Sequence, residues 1–191
     1  MSNKSFWNEV SKQGLLLGIV MSASKIFEQS VVIYGGLEYS VWVLLEWLLF
    51  AALFFVLLYK ATQKRAASTD PMLGFSFLQG VNYMMLISAF AAIVVAFVYY
   101  VYINSIVGYD NYIDSLIAII VNAAESQPLD SSTADLIETL VDQMRTQAQP
   151  SIFAVLFNTV FQYAFTGLLA GLILAGFISR KPQIYDTKDE E

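Results

Sequence analysis

QGVNYMMLISAFAAIVVAFVYYVYINSI, residues 79–106, runs for 28 residues without one Asp, Glu, Lys or Arg. A helix rises ~1.5 Å per residue and ~20 residues cross the ~30 Å of bilayer hydrocarbon, so this stretch is long enough to span a membrane. A helix on the surface of a soluble protein keeps a charged face for water, and this stretch has none. It is therefore read as a transmembrane helix. Three further apolar stretches of similar length lie on either side of it, Gln13 to Tyr34, Tyr39 to Tyr59 and Ser151 to Ser179. The expected fold is all-α: one membrane domain, a four-transmembrane-helix bundle with an amphipathic helical pair inserted between helices 3 and 4. The composition agrees. Of 191 residues 57% are hydrophobic and the mean hydropathy is +0.59, against roughly 45–50% apolar in soluble domains.

The connections follow from residues that stop helices. Gly35 and Gly36 accept positive φ and are expected to close spans one and two into a tight antiparallel hairpin. Lys60 to Leu73 is a polar linker ending at Asp70-Pro71. Lys4, Lys12, the apolar run Leu15 to Met21 and Ser22-Ala23-Ser24 together resemble a signal peptide. The hydrophobic pattern resumes at Ile26 and runs to Tyr34, so the segment is read as span one.

The insertion, residues 108–149, is expected to be helical. Tyr112, Ile113, Leu116, Ile117 and Ile120 share one face, as do Leu136, Ile137, Leu140, Val141 and Met144, with acids opposite and Pro128 between the two helices. Ser131-Ser132-Thr133 supplies N-cap residues for the second helix. The pair is expected to fold over the outer mouth of the bundle or lie on the membrane surface. The tail, 182–191, ends in three acids and is expected to be solvated.

Charge gives the orientation. Net charge is −6, and the insertion alone carries Asp110, Asp114, Glu125, Asp130, Asp135, Glu138 and Asp142 against Arg145. Lys4, Lys12, Lys60, Lys64, Arg65, Arg180 and Lys181 mark the other side. Basic residues accumulate in cytoplasmic loops, so both termini are expected inside and 108–149 outside. An acidic surface argues against nucleic acid, whose phosphates need Lys and Arg. The chain has no Cys and no His, which excludes thiol nucleophiles, disulfides, Cys/His zinc sites and imidazole general bases. It also lacks Gly-x-Ser-x-Gly, a phosphate loop and a dinucleotide fingerprint. No metal site, no cofactor and no enzymatic activity is expected.

Several segments taken in order resemble a known family: Phe6-Trp7 before Gly14-Leu-Leu-Leu-Gly18, Gly74-Phe-Ser-Phe-Leu-Gln-Gly80, Tyr99-Tyr100-Val101-Tyr102-Ile103-Asn104, and the helix from Gly167 to Gly176 before Arg180-Lys181. They are similar to a four-helix integral membrane family from Bacteroidetes catalogued as a domain of unknown function, number forty-one ninety-nine. The resemblance covers nearly the whole chain. It implies an inner-membrane protein with a variable external segment between spans three and four, working near envelope polysaccharide or lipid assembly. It carries over no activity and no functional residues. Lys25, Glu28 and Glu46 depart from the family's apolar pattern.

Two features inside the spans carry the functional expectations. Gly14 with Gly18 and Gly167 with Gly171 form small-xxx-small steps at matching depth, which predicts close packing of helices one and four. Trp7, Tyr34, Tyr39, Trp42 and Tyr102 read as interfacial anchors. Lys25, Glu28 and Gln29 of span one, Glu46 of span two and Asn158 and Gln162 of span four are expected to converge in one polar layer, with Tyr99 or Tyr100 beside them. Glu28 and Glu46 are expected to meet there. Each intramembrane charge costs ~2.5–3.5 kcal/mol on the insertion scale, so the layer must face the bundle. The leading expectation is a non-enzymatic accessory or structural subunit embedded in the bilayer, with a protein partner or a second copy. The alternative from another class is a small transporter or ligand-binding protein built on the Lys/Glu layer.

Overall fold

The computed structural model describes residues 3–35, 39–126 and 130–182. Among these, six α-helices follow one another: α1 (Asn3–Gly35), α2 (Ser40–Ala67), α3 (Phe77–Val101), α4 (Tyr109–Glu125), α5 (Ser131–Thr146) and α6 (Ile152–Ile178). Helix α3 continues as a π-helical segment, Tyr102–Val107. Four helices are long and apolar enough to cross a membrane: Ser5–Gly35, Val41–Ala67, Phe77–Val107 and Ile152–Ile178. The protein is an integral membrane protein of all-α fold, with α4 and α5 standing between spans three and four. Gly36, Glu38, Pro128, residues 183–191 and the side chain of Lys4 lie outside the described residues.

Two spans are longer than expected. Helix α1 begins ten residues before Gln13 because its first turns have partners: Val10 is fully buried, and Glu9 binds Arg65 of α2 at 2.7 Å. Helix α2 runs past Tyr59 to Ala67, where Lys64 and Arg65 in its last turn complement the negative end of the helix dipole. After it, Asp70 accepts the Met72 N–H at 2.9 Å and Gly74 takes a φ of 68°, a left-handed turn that glycine adopts freely. Arg180, beyond α6, pairs its backbone with Phe75 and donates its guanidinium to the Ala66 and Thr69 carbonyls. The chain end of α6 thus caps the C-terminus of α2. Span three ends at Gly108, with a φ of 86°, so α4 starts at once.

Helix α3 is the axis of the bundle. Its buried residues, among them Tyr83, Met84, Ile87, Ser88, Ala91, Ala92 and Val95, meet α1 on one side and α6 on the other. The glycine steps explain this, in a way the sequence did not indicate. A Cβ on Gly14 would fall 2.5 Å from Phe90 Cβ, and one on Gly18 2.9 Å from the Ala91 carbonyl oxygen. A Cβ on Gly171 would fall 2.9 Å from Val81 Cα, and one on Gly167 would collide with Ser88. Both steps therefore press against α3, and the expected contact between helices one and four is replaced by two contacts with helix three. In hydrocarbon, helix association gains little from the hydrophobic effect and depends on close packing; the smallest residues mark where backbones touch. Helix α2 is more peripheral, packing mainly on α1 while Trp42, Leu44, Leu45, Trp47, Leu48 and Leu49 stay exposed.

The insertion is the expected pair, with its cap one residue earlier. Asp130, not Ser131, is the N-cap of α5: its carboxylate accepts the Thr133 N–H at 3.1 Å. Helix α4 buries Ile113 and Ile117 against α1 and the π segment, whereas α5 buries no residue and contacts α4.

Candidate functional site: an intramembrane polar layer

Successive residues of a helix turn by 100°, so positions three and four apart share a face. Along α1 this puts Ser22, Lys25 and Gln29 on the face that also carries Gly14 and Gly18, and Ser24 and Glu28 beside it. The Ser24 hydroxyl donates to the Glu46 carboxylate of α2 in a short hydrogen bond. Glu46 is 8% exposed and Gln29 6%, so both are removed from lipid. Lys25 Nζ meets Glu28 Oε2 at 2.8 Å and stands over the Tyr99 ring of α3, 5.8 Å from its centroid. The expected Tyr99 is thus present. One layer above, the Ser30 hydroxyl bonds the Ile26 carbonyl and the Tyr102 hydroxyl, each at 2.7 Å. Ser30 has one proton and spends it on the carbonyl, so Tyr102 is the donor to Ser30.

Lys25, Glu28, Gln29 and Glu46 lie at one depth, but only Gln29 and Glu46 are buried; the Lys25 and Glu28 side chains are 36% and 30% exposed, and the pairing differs from the expected one. Glu28 and Glu46 do not pair through a shared partner: Lys25 neutralises Glu28 within α1, and Glu46 is held by a neutral hydroxyl. Asn158 and Gln162 do not join the layer at all. Both are exposed on α6. The reason is the glycine step: Gly167 fixes the face of α6 that meets α3, and Asn158 lies nine residues earlier, ~900° or two and a half turns, on the opposite side. Gln162 lies five residues earlier, ~140° away. Instead α6 contributes Tyr163, which packs on Phe54 of α2 at 6.2 Å between centroids and comes within electrostatic range of Glu28 and Glu46.

Sequence reasoning missed Ser24, Ser30 and Tyr163, and read Tyr102 as an interfacial anchor although it is 8% exposed. The serines were findable, since Ser22, Ser24 and Ser30 are interspersed with Lys25, Glu28 and Gln29 in one polar stretch of span one. The other aromatic anchors Trp7, Tyr34, Tyr39 and Trp42 are exposed near helix ends.

Within the layer the Gln29 Oε1 is buried without a partner, and Glu46 forms no ion pair among the described residues. Above it the π segment widens the helix where Asn104 turns its amide onto the Tyr100 carbonyl at 2.8 Å and accepts from Gln149 at 2.6 Å; such segments recur at functional sites. Outside the spans, burial raises the Tyr109 phenol's pKa, with Tyr112 and Asp110 adding to the effect. No three acidic side chains converge as metal ligands among the described residues.

Comparison with known proteins adds one positive finding. Neither the curated proteins nor the solved structures yield a match. A family model described as "Protein of unknown function (DUF4199)" matches residues 12–180, from before the first glycine step to the arginine that caps α2, and the chain belongs to that family.

Proposed function

We propose that the protein is a non-enzymatic membrane subunit that associates side by side within the bilayer through the outer face of α6, its partner being a second copy of itself. The observation that carries this is the exposure of Asn158 and Gln162 at membrane depth. Counted from Ile152, Asn158 lies ~9 Å and Gln162 ~15 Å along the helix, so both amides stand inside the hydrocarbon. Lipid tails offer them no hydrogen bond, and each unsatisfied polar group there costs several kcal/mol. A carboxamide is both donor and acceptor. Two copies related by a two-fold axis along the membrane normal place equal residues at equal depth, so the same pair of amides satisfies itself. Gly176 supports the same face: it lies eighteen residues after Asn158, five full turns on, and nothing comes within 4 Å of a Cβ built on it.

The test is the oligomeric state in nanodiscs. The wild type is expected to be a dimer and the Asn158→Leu/Gln162→Leu double variant a monomer with an unchanged melting temperature. A wild type that is monomeric, or a double variant that still dimerises, would sink the reading. The setting, a bacterial inner membrane near envelope polysaccharide or lipid assembly, is what the family resemblance implies. Lys60, Lys64, Arg65, Arg180 and Lys181 at one end and the acidic insertion at the other support an orientation with the basic end in the cytoplasm. An impermeant thiol reagent applied from the periplasm should then label a cysteine at Ser132 and not at Ser68.

A second reading is favoured by Glu46. A carboxylate 8% exposed and answered by a hydroxyl is suited to a transient cation, as in a small transporter. Under that reading Glu46→Gln folds and loses transport or binding in reconstituted vesicles; a silent variant removes it.

A further inference from the structure

At the basic end of the bundle, where α1 begins and α2 ends, a cavity of about 730 Å³ opens at the membrane boundary. That volume suits a drug-sized molecule rather than one ion or water. Its apolar part is Phe6, Leu73, Phe75 and Leu86; its polar part includes Arg65, Asp70, Asn82 and Tyr83. Tyr83 is 1% exposed, and its hydroxyl faces the Glu9 carboxylate without completing a hydrogen bond to it. A buried hydroxyl without a partner is costly, ~1–3 kcal/mol, and in a native protein calls for an explanation. Arg65 gives one N–H to Glu9 and stacks over the Phe6 ring at 5.2 Å. A guanidinium has five N–H donors, so others remain to bind an oxyanion. Asp70 commits Oδ1 to the Met72 N–H, and its second oxygen can take an ammonium.

We infer that this cavity binds a phospholipid whose head carries both a phosphate and a primary amine, the phosphatidylethanolamine class. The phosphate takes Arg65 and the Tyr83 hydroxyl, and the amine takes Asp70. Arg65 and Asp70 line the cavity and Glu9 pairs with Arg65 behind it, so carboxylates outnumber the cation and a phosphate is held only where it brings its own positive group. An anionic head is opposed by Asp70 and Glu9, and a choline head has no N–H to donate to Asp70. The acyl chains leave over Leu86, ~13 Å along α3 from Phe77 and so in the hydrocarbon. This site lies at the opposite end of the bundle from Asn158 and does not depend on the association proposed there.

Delipidated protein in detergent is titrated with ethanolamine, choline and glycerol phospholipids of the same acyl chains, following the melting temperature and lipid retention by native mass spectrometry. The ethanolamine lipid is expected to give the largest rise. Tyr83→Phe, which removes only the hydroxyl, and Asp70→Asn, at an exposed position where the amide oxygen can still accept the Met72 N–H, are expected to melt like the wild type without lipid and to bind the ethanolamine lipid about tenfold more weakly, a loss of ~1.4 kcal/mol. Should Tyr83→Phe fail to fold, Asp70→Asn decides alone. Equal rises for the three lipids, or full binding retained by the folded variants, overturns the inference. So does an equal rise from soluble glycerophosphoethanolamine, which would assign the site to a free phosphoester.

Discussion

Both faces of α6 carry glycine, and the glycines of the two faces behave in opposite ways. The inner face sets Gly167 and Gly171 against Ser88, Met84 and Val81 of α3 so closely that no side chain fits. The outer face carries Asn158, Gln162 and Gly176, and the glycine there meets open space. A glycine in a membrane helix therefore has no fixed meaning; what its Cβ would strike decides whether it is a seam or a vacancy. The polar residues follow the same logic. Ser88, on the packed side, is fully buried and returns its hydroxyl to the Met84 carbonyl, whereas the outer amides find no acceptor within the chain among the described residues.

The largest effect is expected at the inner face. Gly171→Leu forces a side chain into the Val81 backbone, and a backbone atom cannot step aside as a side chain does. Overpacked cores lose ~1–3 kcal/mol, with more where the backbone must shift, and separating α6 from α3 removes the principal helix pair of the fold. The melting temperature in detergent should fall well below that of the wild type, with aggregation on heating. Unchanged melting would show that α6 is held by something other than this contact.

A smaller effect is expected where both faces begin. Ser151 caps α6, its hydroxyl accepting the Ala154 N–H at 3.2 Å. Ser151→Ala leaves that donor to water and should cost about 0.5–2 kcal/mol. The loss should appear as faster amide exchange over the first turn of α6, with no change in oligomeric state. Exchange protection lost along the whole helix would mean that the cap, rather than the glycine contact, holds α6 in place.

What the sequence disclosed and what it concealed divide along the same line. The four spans, the hairpin order and the amphipathic pair are set by hydrophobic length and periodicity, which are properties of single segments. Lys25, Glu28, Gln29 and Glu46 were placed in one layer by counting depth from the α1–α2 turn, which a rise per residue allows. Asn158 and Gln162 were placed there by the same count, and depth was right while direction was wrong. Depth along an isolated helix follows from its ends; rotation about its axis follows from which neighbour it packs on, and pairing the two glycine steps with each other chose the wrong neighbour. Tyr102 was misjudged for a related reason. Its position near a predicted boundary suggested an anchor, but it opens the π segment in a cluster with Ile26 and Ile33 of α1 and Tyr109 and Tyr112 of α4, and its hydroxyl meets Ser30 of α1.

The smallest effect on the stability of a single chain is expected at Gly176, and it separates the two faces most cleanly. Gly176→Leu is the same chemical change as Gly171→Leu, made five residues along the same helix. Nothing lies within 4 Å of a Cβ at this position, so the new side chain meets lipid or detergent. Leucine also favours helix over glycine by up to ~1 kcal/mol. The variant should therefore melt at or slightly above the wild-type temperature, as surface changes away from packed features stay within about 0.5 kcal/mol. If two copies meet on this face, however, the branched side chain holds the helices apart beside the Asn158 and Gln162 amides, and the dimer fraction in nanodiscs should fall. Stability kept while association is lost would assign the outer face to a contact between chains. Association kept at full strength would leave the amides, not the glycine, as the contact, and would move any interface toward the Asn158 end of α6.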